Sequence, residues 1–185
     1  MRPVTREEIV DYQTYEDVRD AFRREVIAAK ANRRVHLGAV VTLLFENRLT
    51  VRYQIQEMMR AERTVREADV QHEIDTYNEL LGGPGALGVT MLIEIDDERE
   101  RNEKLAAWHG LPERVYLELA GGRRVFGVPD TRQTDDRRIS SVHYLTFEVG
   151  GEAPVAAGID FPDLGVRTPL TDDQRIALAD DLRDA

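Results

Sequence analysis

Val40-Val41-Thr42-Leu43-Leu44-Phe45, then Glu46-Asn47, then Arg48-Leu49-Thr50-Val51-Arg52-Tyr53-Gln54-Ile55-Gln56-Glu57-Met58-Met59-Arg60-Ala61-Glu62-Arg63 is the stretch that decides the fold. Its first six residues are apolar and rich in β-branched side chains, which predicts a buried strand. The rest predicts a helix over 48–63. At about 100° per residue, Val51, Ile55, Met58 and Met59 share one face, with Glu62 on the same side. Arg52, Gln56, Arg60 and Arg63 form a stripe on its flank, with Tyr53 and Glu57 beyond. A strand running straight into an amphipathic helix makes this region mixed α and β.

Upstream, Thr5 with Glu8 and Thr14 with Asp17 have capping-box spacing. They predict a short helix over about 6–11 and a long one over about 15–35, with Val18, Phe22, Val26 and Ala29 on one face. Arg33, Arg34 and His36 would close the long helix, where positive charge suits the C-terminal dipole, and Gly38 would end it. Downstream, Thr64 with Glu67 starts a helix carrying Val70, Ile74, Tyr77 and Leu81, stopped by Gly82-Gly83-Pro84-Gly85.

Beyond residue 86 the pattern changes. Val89–Ile95 reads as a strand, Asp97 caps a helix through Trp108, and Val115–Leu119 turns at Gly121-Gly122 into Arg124–Val128 as a hairpin. Asp130 to Arg137 reads as a polar loop. Ile139–Val149 is the longest strand candidate, and Gly150-Gly151 turns it toward Val155–Ile159. Thr171 with Gln174 caps a final helix. The expected architecture is one domain over 1–185: helix-rich over 1–83, strand-rich over 86–168, with a C-terminal helix over 171–183. Its class is α+β, N-terminal helices packed on a largely antiparallel, hairpin-linked sheet.

The chain has 185 residues, 42% hydrophobic and 32% charged, enough for one full core. It has no cysteine, which rules out disulfides, thiolate metal sites and cysteine nucleophiles. A charged N-terminus without an apolar core, and no bilayer-length apolar run, predict a cytoplasmic protein with no membrane partner. The net charge of −10 argues against nucleic-acid binding. Charge is uneven: residues 1–66 carry 13 basic and 10 acidic side chains, and residues 67–185 carry 12 and 25. The two segments are expected to complement each other, within one fold or across a homo-oligomer.

No GxGxxG, P-loop, HExxH, GxSxG, EF-hand or Glu-x-x-His signature is present. No metal site or cofactor is predicted. The Arg52/Gln56/Arg60 stripe suits an anion or an acidic surface, because guanidinium forks match carboxylates in pairs. It equally suits a solvated helix face bridged to acids of the second half. His143 shares a strand face with Ile139, Leu145, Phe147 and Val149, so it needs a partner if buried. A His143–Glu94 pair would be structural or an acid–base couple. His36, His72 and His109 read as structural or solvated.

Several segments carry a resemblance: Arg33-Arg34-Val35-His36-Leu37-Gly38, the run from Phe45 to Arg63, EIDTYNELL at 73–81, MLIEI at 91–95, Ser141-Val142-His143-Tyr144 and LADDL at 178–182. Together they resemble a bacterial family called domain of unknown function 3501, over nearly the whole chain. The resemblance transfers no catalytic residue. Genes of the family often neighbour rubrerythrin-like and iron–sulfur oxidoreductase proteins, which implies a role beside peroxide or electron-transfer chemistry.

Three functions fit these residues. One is an accessory protein, not an enzyme, that binds a redox-protein partner or small anionic ligand through Arg52, Gln56 and Arg60. The second is an enzyme with Glu57 or His143 as acid–base and the arginines orienting an anionic substrate. The third is a purely structural oligomerising module.

Overall fold

The computed structural model describes residues 1–130 and 138–184. A short 3-10 turn, Arg6–Glu8, leads to α1 (Tyr12–Ala31), β1 (Arg34–Leu37), β2 (Val41–Phe45), α2 (Arg48–Glu62) and α3 (Glu67–Asn78). Then follow β3 (Leu87–Ile93), α4 (Glu98–Ala107), β4 (Val115–Glu118), β5 (Arg124–Phe126), β6 (Val128–Pro129), β7 (Val142–Phe147), β8 (Ala156–Ile159), β9 (Val166–Pro169) and α5 (Asp172–Arg183).

The class is α+β, as the sequence predicts, but the strands form two antiparallel sheets. One has the order β1-β2-β3-β7-β6 and the other β5-β4-β8-β9. Their inner faces enclose one core, with Leu43, Phe45, Met91 and Phe147 meeting Leu117, Ala157 and Ile159. Leu178 and Leu182 of α5 join that core. On one side, residues 124–129 run from the second sheet into the first. The Gly127 N–H donates to the Val115 carbonyl at 2.9 Å, and a Cβ at Gly127 would meet the Phe147 ring. On the other side β9 lies beside β1, where Thr168 Oγ1 donates to the His36 carbonyl at 3.0 Å and Gln174 Nε2 to that of Arg34 at 2.8 Å.

A second core lies on the outer face of the five-stranded sheet. Val51, Ile55 and Met59 of α2 pack there with Val70 and Ile74 of α3. Helix α1 packs on α2 as the outermost layer. A strand covered on both faces reads as a continuous apolar run, and every residue of β3 except the half-buried Leu92 is buried. Helix α3 stops after Asn78, and its trailing turn crosses β3 at Gly88. A Cβ on Gly88 would overlap the Leu80 carbonyl oxygen and lie 3.0 Å from the Gly82 nitrogen.

Four expected boundaries move. Helix α1 starts at Asp11, not Thr14, because the Asp11 carboxylate accepts from the Gln13 and Thr14 N–H groups and from the Thr14 hydroxyl. It ends at Ala31, because Val35 and Leu37 alternate inward with Arg34 and His36 outward, a strand period. Arg66, not Thr64, precedes α3. Gly150-Gly151 does not close a hairpin: β8 pairs with β4 and β9, so the chain changes sheets there. Apart from Asp130, the loop expected over 130–137 lies outside the described residues.

Candidate functional site

The flank of α2 that carries the arginine–glutamine stripe faces α1 and the segment before it. Gln56 is 1% exposed. Its Oε1 accepts from the Val10 N–H at 2.9 Å, and its Nε2 donates to the Val10 carbonyl at 3.0 Å. Arg52 donates from Nε to the Glu8 carbonyl at 3.1 Å and stacks over the Phe22 ring. Glu57 receives Arg19 bidentately, at 2.7 and 2.9 Å, and the Tyr15 hydroxyl at 2.8 Å. The Arg19 guanidinium, ahead of the Tyr15 hydrogen bond, holds the Glu57 carboxyl below the ordinary carboxylate range. Burial, with Glu57 alongside, pushes the Tyr15 phenol up. Arg60 reaches Glu16 only weakly, at 3.5 Å, and its buried Nε, 3.9 Å from Glu57, has no hydrogen-bond acceptor among the described residues. Among the described residues, the carboxylates that pair with the arginines of α2 (Glu8, Glu16 and Glu57) therefore come from the first half of the chain. The halves do meet elsewhere, through Arg2–Asp184, Arg6–Glu67 and Arg33–Asp181.

His143 is on the other side of the sheet. It is 4% exposed, stands opposite Met91 on the inner face, and makes a 2.9 Å hydrogen bond from Nε2 to the Ser140 carbonyl. A carbonyl only accepts, so Nε2 carries the proton. Burial pushes the His143 pKa down, and the Ser140 bond opposes that shift. Glu94 points to the outer face, where it accepts from the Thr42 hydroxyl, so the two strands adjoin without a His143–Glu94 pair. The five-stranded sheet stands between His143 and the Arg52/Gln56/Glu57/Arg60 group. An acid–base site combining them around one substrate does not assemble. Glu62 is exposed at the end of α2, and His36, His72 and His109 are exposed as well.

The sequence reading followed the His143 face of β7, and its other face carries more. Tyr144 points outward beside Thr90, its register partner on β3. Thr90 donates to Glu46 at 2.6 Å, Thr50 donates to the same carboxylate at 2.5 Å, and Gln54 Nε2 reaches it at 3.3 Å. Glu46 is 1% exposed. A buried carboxylate held by hydroxyl and amide donors thus lies behind Tyr144. In front of Tyr144 is a cavity of about 490 Å³ between the end of α3 and the β6–β7 edge. Leu80, Val128 and Pro129 give it apolar walls, and Tyr77, Tyr144 and Thr146 give it hydroxyls. Glu79 and Asp130 add carboxylates, with no Lys or Arg among the described lining residues. Burial pushes both phenols up; Glu73 adds to the effect at Tyr77, and Glu46 and Asp130 add to it at Tyr144. The signal available in the sequence was the alternation of 139–149, which puts Tyr144 opposite His143.

Comparison with protein families places residues 3–182 in a family described as "Protein of unknown function (DUF3501)". This chain belongs to the DUF3501 family. It is similar to a protein from Burkholderia pseudomallei whose 1.90 Å crystal structure is described as that of a novel protein of unknown function. The two are 32% identical, the match covers 98% of this chain and 100% of that one, and the TM-score is 0.90. No curated protein matches. Among the described residues of this family member, no helix is long and apolar enough to cross a membrane. No group of three or more His, Cys, Asp or Glu among them is placed to hold a metal ion.

Proposed function

We propose that this chain is a small-molecule-binding accessory protein, and that its ligand sits in the cavity between α3 and β7. One observation carries the reading: a cavity of ligand size has apolar walls and convergent hydroxyls from two different elements, Tyr77 on α3 and Tyr144 and Thr146 on β7. The ligand suited to that lining has an apolar body and hydrogen-bond donors, as an aromatic alcohol or an aromatic amine has.

A cavity-filling variant tests this. Thr146 is half-buried on the outer face of β7, where tryptophan extends into the cavity. A ligand present at 100-fold over its Kd adds about 2.7 kcal/mol. At this chain length each kcal/mol raises Tm by about 2–4 °C. A thermal-shift screen of donor-bearing compounds should therefore give hits that raise the wild-type Tm by several degrees and leave Thr146→Trp unmoved. Hits that stabilise both equally would place the ligand elsewhere.

A second reading, docking of an acidic, redox-linked partner on the α1–α2 surface, is favoured by Arg60. Its side chain is one-third exposed and its ion pairs are long, 3.5 Å to Glu16 and 3.9 Å to Glu57, so an incoming carboxylate has guanidinium N–H groups to accept from. Affinity for a rubrerythrin-like protein of the host should fall about tenfold in Arg52→Ala/Arg60→Ala. Unchanged affinity removes this reading.

A further inference from the structure

A second cavity, of about 390 Å³, lies between α4 and the segment leading into β7. That segment is pinned along its length. The Ile139 N–H donates to the Leu105 carbonyl at 3.1 Å, and the Ile93 N–H to the Ser141 carbonyl at 2.8 Å. The Ser140 carbonyl holds His143 Nε2 at 2.9 Å. The buried His143 thus fixes the wall of a surface cavity.

Two arginines line it. Arg101 is anchored by Nη1 to the Ile95 carbonyl at 2.9 Å and, more loosely, to that of Asp96. Arg138 is anchored by Nη1 to the Asn102 side-chain oxygen at 2.5 Å. Among the described residues neither has a carboxylate within ion-pair distance, whereas Arg19, Arg33 and Arg167 each grip one bidentately. Anchoring by neutral carbonyl groups orients each guanidinium while leaving its charge uncompensated and its remaining N–H groups able to donate. The Ser140 hydroxyl oxygen accepts from the Val142 N–H at 3.1 Å, which leaves its own proton for another acceptor. Ser141 completes the wall, and Glu98 is the one carboxylate among the described lining residues.

We propose that this cavity binds a small oxyanion, a phosphoryl or carboxylate group, between Arg101 and Arg138, with the Ser140 hydroxyl as a further donor. Guanidinium forks match both groups in geometry, and charge-assisted bonds to them are the stronger class of hydrogen bond. The site is separate from the α3 cavity and does not depend on it.

Inorganic phosphate and succinate, each titrated into isotope-labelled protein at low ionic strength and followed by NMR, test the proposal and separate the two chemistries. The expected result is saturable binding of one of them in the millimolar range or tighter, with shifts at Ser140, Ser141 and the side chains of Arg101 and Arg138. Affinity should fall about tenfold in Arg138→Ala, the loss of one charge-assisted bond, and binding should vanish in Arg101→Gln/Arg138→Ala. Arg138 is exposed, so the single variant keeps the fold. Shifts that never saturate with either probe, that map away from α4, or that are unchanged in Arg138→Ala would overturn the site.

Discussion

Gly88→Ala should destroy the native packing of α3 on the sheet. The added methyl would occupy the position of the Leu80 carbonyl oxygen, and the Gly82 nitrogen would be 3.0 Å away. These are backbone atoms, so no rotamer change relieves the clash. The turn after α3 must lift, and with it Leu80, which is both part of the outer core and a wall of the α3 cavity. Overpacking a close-packed interior costs about 1–3 kcal/mol, and a rigid backbone obstacle puts the cost at or above the top of that range. Stability from denaturant unfolding, with cavity occupancy by a ligand as a second readout, checks this. A variant as stable as the wild type would mean that α3 rides higher on β3 than described.

Asp181→Ala should be at least as damaging. Arg33 donates to both carboxylate oxygens of Asp181, at 2.7 and 2.9 Å, and Asn47 Nδ2 donates to one of them at 3.2 Å. The side chains of Arg33 and Asp181 are only 12% and 9% exposed. Removing one member leaves the other charge buried, which costs about 3–5 kcal/mol. That is a large share of a total stability of roughly 5–15 kcal/mol. Replacing both partners with apolar residues of similar volume, as in Arg33→Met/Asp181→Leu, should recover much of the loss. A urea midpoint for Asp181→Ala within error of the wild type would show that the pair is solvated and contributes like a surface bridge.

The chain displayed its α+β class because helical spacing dominates 12–31 and 48–78, whereas short apolar or alternating runs separated by turns dominate from residue 87 to 169. The caps at Asp97 and Thr171 were legible because a side-chain oxygen three residues before its target N–H is a local feature. Strands β1 and β9 were not. Four residues of alternation in Arg34–Leu37 are too few to outweigh a basic helix terminus, and β9 reaches its neighbours only through the closed tertiary arrangement. The stripe of Arg52, Gln56 and Arg60 was correctly placed on one flank of α2. What the sequence could not supply was the identity of the neighbour: α1 and the Val10 backbone take up Arg52 and Gln56. Both cavities arise where segments distant in sequence converge, α3 with β7 and α4 with 138–141. No single periodicity carries that information.

The seam between β1 and β9 has a consequence for the order in which the chain is made. Strands β1, β2 and β3 are synthesised early, yet their inner face is covered by β4, β8 and α5. The open edge of β3 waits for β7, and β1 waits for Thr168 and Gln174. While the chain emerges from the ribosome, Leu43, Phe45 and Met91 have no lasting cover until roughly its last quarter has followed. Domains generally fold as whole units, and an unpaired strand edge beside bare apolar surface is the aggregation-prone form. Translation that stalls before residue 142 would therefore leave a sticky half-sandwich.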